Sequence, residues 1–135
     1  MPIAKVEPKV QALIKEEKKP FSLIIIGGGP AGLTAGLYAR RAKIDTLLIE
    51  KAVLGGLMTT TELIENYPGF PDGISGAELG KKFEEQAKIY GLDIVYGKVT
   101  KIEASGEIKE VHTEEHSYSC KALIIATGSE PKKLG

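Results

Sequence analysis

The chain has 135 residues, of which 42% are hydrophobic and 27% are charged, and its formal net charge is zero. This composition is typical of a globular domain, and a chain of this length is too short for two full nucleotide-binding domains. A net charge of zero gives no electrostatic reason to expect nucleic acid or an anionic membrane as a partner. No apolar stretch approaches the length of a membrane span, and the start of the chain lacks a secretory-type apolar core. We therefore expect a cytoplasmic protein.

Residues 1–20 form a Lys- and Glu-rich extension, and we place the folded domain at residues 21–135. Val10, Leu13 and Ile14 recur at helical spacing, which predicts a short amphipathic helix over about residues 8–18. Such a segment is typical of a solvated extension docked on the domain, and a partner-binding helix is the alternative.

A glycine-rich turn follows the apolar run at residues 21–26 with the spacing G-x-G-x-x-G, at Gly27, Gly29 and Gly32. In a dinucleotide-binding unit, the first glycine turns the chain out of a strand and the second lets a pyrophosphate approach the backbone. The third lets the next helix pack closely on the strand, and the N-terminus of that helix attracts the phosphates. The alternative is a glycine-rich turn in an ordinary α/β protein, so the pattern needs a second feature.

Glu50 supplies this second feature, because it ends the next apolar run at about the spacing of the acid that binds an adenosine ribose. A carboxylate at this position would repel a ribose 2′-phosphate. The sequence therefore predicts a dinucleotide site that favours FAD or NAD over NADP.

The remaining pattern predicts an α/β fold of Rossmann-like, three-layer type, with a parallel sheet and a small antiparallel β-meander as a crossover. The ligand should lie beyond the carboxyl ends of the parallel strands, which we expect in the order 3-2-1-4. The predicted elements are strands at 21–27, 45–50, 93–96 and 121–126, helices at 30–42 and 76–90, a long irregular segment at 51–75, and the meander at 99–119.

Cys120 is the only cysteine, so the sequence contains neither an intrachain disulfide nor a C-x-x-C pair. We interpret it as a small, partly buried residue at the start of a strand, with a reactive thiol as the alternative. His112 and His116 lie among alternating polar residues, and we interpret both as solvated strand or turn residues. No metal site and no catalytic residue are predicted.

Several segments together resemble the N-terminal FAD-binding segment of the low-molecular-weight thioredoxin reductases, over about residues 21–135. The stretch from Glu65 to Phe70, Glu-Asn-Tyr-Pro-Gly-Phe, is more distinctive than the glycine pattern. The other matching segments are Gly27–Gly32, Gly55-Gly56, Thr59–Glu62, Gly73–Gly76 and Ile124–Gly128.

The resemblance implies a set of FAD contacts. The backbone near the glycine turn would hold the pyrophosphate, Glu50 the ribose, the backbone of Val99 the adenine, and Asn66 the polar edge of the isoalloxazine. For Asn66, a role in an Asx-type turn is the alternative. Leu57 stands where the family usually has Gln, and its apolar side chain cannot make the hydrogen bonds of an amide. The full set of expected cofactor-binding residues is Gly27, Gly29, Pro30, Ala31, Gly32, Glu50, Lys51, Gly55, Gly56, Thr61, Asn66, Val99, Ala126, Thr127 and Gly128.

Members of the resembled family pass electrons from NADPH to FAD, then to a C-x-x-C disulfide and on to thioredoxin. The nicotinamide-binding domain, the C-x-x-C pair and the return segment of the flavin domain have no counterpart in this sequence. We therefore expect the chain to be the FAD-binding part of such a flavoprotein and to be unable to reduce thioredoxin by itself. The alternatives are a subunit of a split flavoprotein, completed by another chain, and a non-catalytic FAD- or NAD-binding module. The missing return segment would leave residues 121–126 as an apolar sheet edge, which favours self-association or capture of the missing half.

Overall fold

The computed structural model describes residues 19–133, so the helix predicted over residues 8–18 lies outside the described part. Within it, two α-helices, a 3-10 helix and six strands follow one another in nearly the predicted order. The strands are β1 Phe21–Ile26, β2 Thr46–Glu50, β3 Asp93–Tyr96, β4 Val99–Glu103, β5 Lys109–Thr113 and β6 Ser117–Ile125. The helices are α1 Pro30–Arg41, α2 Gly76–Ile89 and the 3-10 helix Gly56–Thr60.

All six strands belong to one sheet with the order β3-β2-β1-β6-β5-β4. The first four strands in this order run parallel, as predicted, and β6 takes the place of the expected fourth strand. Ile26, at the end of β1, pairs with Ile49 of β2 and with Ile125 of β6, and Glu50 pairs with Tyr96 of β3. The carboxyl ends of these four strands therefore lie at one edge, where ligands bind in sheets of this type.

The antiparallel meander is formed by β4, β5 and the first half of β6. Strand β6 begins at Ser117, four residues before the predicted start, and pairs with β5 through residues 117–120. Its second half pairs in parallel with β1. Within the described residues, the outer side of β6 is paired with β5 up to residue 120 and unpaired after it, which agrees with the sheet edge expected at residues 121–126.

The two faces of the sheet carry separate parts of the core. Because side chains alternate along a strand, Ile24 and Ile26 point to one face and Leu23 and Ile25 to the other. The first face packs with buried residues of the meander, such as Val111, and the second packs with the helices. This arrangement of helices, sheet and meander confirms the predicted α/β fold class.

The segment between β2 and α2 contains a 3-10 helix and an isolated bridge between Ile64 and Ile74. Helix α2 begins after Ser75, whose hydroxyl accepts a hydrogen bond from the Glu78 N–H. None of the helices in the described part of the chain is long and apolar enough to cross a membrane. The cytoplasmic location stays a prediction.

The unpaired outer side of β6 should promote self-association. Ile124 and Ile125 are 38% and 64% exposed there, beside backbone groups that lack a strand partner among residues 19–133. Exposed apolar sheet edges pair with other chains, and a lysine side chain on such an edge opposes this pairing. We expect the chain to form concentration-dependent oligomers in analytical ultracentrifugation and Ile125→Lys to shift it toward monomer. Ile89→Lys, on the exposed end of α2, is the matched control and should leave the oligomers intact. A parent chain that remains monomeric at high concentration would contradict this prediction.

Candidate functional site

The turn between β1 and α1 is shaped by three glycines with different surroundings. Gly27 has a φ of 107°, and a Cβ on it would overlap the carbonyl of Ala126. A Cβ on Gly32 would overlap the carbonyl of Gly27. A Cβ on Gly29 would meet only the Cα of Gly56, at 3.9 Å. The first and last glycines are therefore required for packing, whereas Gly29 lies where space remains above the backbone.

The N-terminus of α1 lies at the carboxyl edge of the sheet. Gly29 is its N-cap, with no side-chain hydrogen bond, and Pro30 opens the helix. The first turn of α1 carries no acidic residue, whereas α2 is capped by Ser75 and has Glu78 in its first turn. The N–H groups and the positive dipole end of α1 are thus left for an external anion, as in dinucleotide-binding proteins.

Glu50 is held rigidly at the end of β2. Its side chain is buried, and its Oε2 accepts a hydrogen bond from the N–H of Gly28 at 2.6 Å. Its Oε1 accepts one from the N–H of Ala52 at 2.8 Å. Each oxygen keeps a second lone pair, so the carboxylate can still accept a hydrogen bond from a ribose hydroxyl.

Two further loops close on the glycine turn. The N–H of Gly55 donates to the carbonyl of Gly28 at 2.8 Å, and a Cβ on Gly56 would lie 3.1 Å from the Cα of Gly29. The chain after β6 returns beside the turn, because the N–H of Ala126 donates to the carbonyl of Ile26 at 2.8 Å. Four of the predicted segments therefore form one cradle, at residues 27–32 (which include the start of α1), 50, 55–56 and 126–127.

The other predicted residues lie around this cradle. Lys51 forms an ion pair with Glu130 that links the chain after β2 to the chain after β6, and this contact raises the pKa of Lys51. Val99 begins β4, two residues after Gly97, whose N–H donates to the carbonyl of Glu50 at 2.9 Å. Gly128 has a φ of 69°, and a Cβ on it would meet no atom within 4 Å.

Thr61 and Asn66 are both exposed in the segment between β2 and α2. The carbonyl of Thr61 accepts a hydrogen bond from the N–H of Gly76, which ties the end of the 3-10 helix to the start of α2. The structure records no contact from these two side chains to the glycine turn. Their expected contacts with the cofactor remain a prediction, as do the two alternatives for Asn66.

Comparison with known proteins agrees with this geometry. Residues 21–135 match the family described as "Pyridine nucleotide-disulphide oxidoreductase". The chain belongs to this family. It is 47% identical over 119 residues to a thioredoxin reductase of Listeria monocytogenes, covering 88% of this chain and 37% of that relative. The resemblance to thioredoxin reductases is thus confirmed, and the chain spans little more than a third of the length of these relatives.

Solved structures of thioredoxin reductases share the fold of this chain. The Streptococcus pyogenes enzyme has a TM-score of 0.83 at 45% identity, over 88% of this chain and 39% of that one. A structure titled "Ferredoxin-Flavin Thioredoxin Reductase", from Clostridium acetobutylicum, has a TM-score of 0.76 at 35% identity, over 85% of this chain and 40% of that one.

Cys120 is fully buried inside β6, where desolvation raises the pKa of its thiol. This confirms its interpretation as a core residue, although it lies within the strand and is more deeply buried than predicted. Sequence reasoning missed two participants, Gly28 as the hydrogen-bond donor to Glu50 and Glu130 as the partner of Lys51. Gly28 occupies the first variable position of the G-x-G-x-x-G pattern, which could have indicated its role. Nothing in the sequence near Glu130 indicates its pairing with Lys51.

The glycines of the turn should differ in their tolerance of a methyl group. Gly32→Ala should lower the free energy of unfolding by about 3 kcal/mol, because the new Cβ overlaps backbone that cannot rotate away. Gly29→Ala should change it by less than about 1 kcal/mol, because its φ of −75° suits alanine and the space is open. Urea unfolding of both variants measures the difference. Equal losses at the two positions would contradict the described packing.

Proposed function

We propose that this chain is the FAD-binding part of a thioredoxin reductase-like flavoprotein disulfide oxidoreductase. The observation that carries the proposal is the cradle at the carboxyl edge of the sheet. It combines a helix N-terminus without a side-chain cap, open space above Gly29 and a buried carboxylate at the end of β2. Membership of the family and the likeness to thioredoxin reductases support the same assignment.

The residues of the cradle fit the polar groups of FAD. The first-turn N–H groups of α1, at Ala31 and Gly32, would bind the pyrophosphate, with Gly27, Gly29 and Pro30 shaping the approach. Glu50 would accept a hydrogen bond from the adenosine ribose. Because its carboxylate is fixed and buried, a ribose 2′-phosphate at that place would be repelled by the negative charge and would also lose its hydration.

The remaining expected contacts extend this site. The backbone of Val99 would face the adenine, and Asn66 would face the isoalloxazine. Residues 126–128 would close over the cofactor, and Gly55 and Gly56 would let their loop approach it. We include Lys51 and Thr61 in the proposed site because of the family resemblance. For Lys51, the ion pair with Glu130 would hold its loop against the segment after β6.

The bound flavin would supply the electron-transfer chemistry, and this chain would supply position and electrostatics. In the proposed complete protein, the flavin would take electrons from NADPH and serve a C-x-x-C disulfide that reduces thioredoxin. Ferredoxin is the alternative electron donor, because one structural relative is named a ferredoxin-flavin thioredoxin reductase. The nicotinamide site and the dithiol would be carried by the remainder of the same polypeptide or by a second chain.

FAD binding is tested by the visible absorption spectrum of the purified chain after incubation with FAD and removal of unbound dye. We expect a retained flavin spectrum, and we expect Gly29→Ala to weaken FAD binding by about tenfold or more, since a methyl group would occupy the path of the pyrophosphate. Gly106→Ala, in the turn between β4 and β5, makes the same substitution in ordinary van der Waals surroundings and should leave binding unchanged. A folded parent chain that retains no flavin would overturn the proposal.

The isolated chain should not catalyse NADPH-dependent disulfide reduction, even when it is loaded with FAD. Thiol–disulfide exchange through a dithiol needs two cysteines, and this sequence has only the buried Cys120. The rate of NADPH oxidation by the FAD-loaded chain with thioredoxin should equal the background rate measured with FAD alone. The substitution Cys120→Ser should not change this rate. A full-length thioredoxin reductase is the positive control. Turnover by this chain that depends on thioredoxin would contradict the prediction.

A further inference from the structure

The hairpin of β4 and β5 brings two glutamates directly opposite each other on its exposed face. Glu103 pairs with Glu110 across the two strands, and Lys101 pairs with His112 one position further along the same face. The intervening Ile102 and Val111 point to the core, which fixes the other four side chains on the solvent side. Like charges directly opposite each other in a sheet are destabilising, so this face favours a cation between them.

The imidazole of His112 lies between the two carboxylates. Its Nε2 is 2.7 Å from Oε2 of Glu103 and 3.5 Å from Oε2 of Glu110. One ligand atom from each of the three residues lies within 4.8 Å of the others. A tetrahedral zinc ion with bonds of about 2.0–2.2 Å holds neighbouring ligand atoms about 3.3–3.5 Å apart, so small side-chain rotations suffice to bind it.

Two neighbouring side chains orient the potential ligands. Oγ of Ser117, on β6, is 2.7 Å from Nδ1 of His112 and can accept a hydrogen bond from it, which leaves the Nε2 lone pair for a metal. Nζ of Lys101 donates to Oε1 of Glu103 at 2.9 Å and leaves Oε2 facing the imidazole.

We propose that Glu103, Glu110 and His112 form a surface site for a divalent transition-metal ion, with Zn²⁺ as the bound ion. One imidazole and two carboxylates suit zinc, whereas Mg²⁺ and Ca²⁺ prefer ligands that are all oxygen. Water would complete the coordination because the site is open to solvent on the hairpin face. The metal would join β4 to β5 and neutralise the opposed carboxylates. The site uses none of the residues of the FAD cradle and does not depend on the proposed function.

The chain offers a clean control for this proposal, because it has only two histidines and its one cysteine is buried. Calorimetric titration of the full chain with ZnCl₂ should show one bound Zn²⁺ per chain. His112→Ala should weaken binding by about tenfold or more, as should Glu103→Gln or Glu110→Gln. His116→Ala, in the adjacent turn, should bind zinc as the parent does. The proposal is overturned by zinc binding that survives His112→Ala or is lost with His116→Ala.

A second measurement avoids any doubt about the folding of the variants. Proton–nitrogen NMR spectra of the histidine side chains in the unmodified chain report each ring nitrogen separately. Addition of ZnCl₂ should shift the Nε2 resonance of His112 and leave His116 in place, and EDTA should reverse the shift. A shift at His116 alone, or no shift at either ring, would overturn the proposal whether or not the chain binds FAD.

Discussion

The hydrogen bond from the N–H of Gly28 to the carboxylate of Glu50 is the constraint on which the candidate site depends. Glu50 links three strands. Its carboxylate binds the turn after β1, its backbone belongs to β2, and its carbonyl accepts a hydrogen bond from the N–H of Gly97, after β3. An ionised acceptor makes a stronger hydrogen bond than a neutral one, and burial strengthens it further. The glycine turn is therefore held in shape before any ligand binds, which lowers the ordering cost of binding.

The long strand β6 connects the two halves of the architecture. Its first half is paired on β5, within the meander, and its second half continues beside β1 to the cradle. Cys120 lies at the crossover, with β1 on one side and β5 on the other, and is completely buried. One continuous strand thus carries the core of the meander into the site and leaves an unpaired outer side only near its end.

The main elements and the glycine cradle could be predicted from sequence because local physics encodes them. Apolar runs, helical spacing and the glycine pattern each act over short stretches, and the limits of α1, α2 and β3 follow within a residue or two. The position of β6 could not be predicted so well. Residues 117–120 alternate as meander strands do, and only pairing with two different neighbours merges them with residues 121–125.

The sequence by itself determined the α/β fold class, the order of the parallel strands, and the glycine and Glu50 elements of the candidate dinucleotide site. Tertiary structure alone decided the pairing of Lys51 with Glu130, the depth at which Cys120 is buried, and the meeting of Glu103, Glu110 and His112. The physical reason is that helix and strand periodicity are local, whereas strand register and loop contacts join residues that are distant along the chain. A shift of one residue in the β4–β5 register would move one strand's side chains to the other face and separate the three ligands.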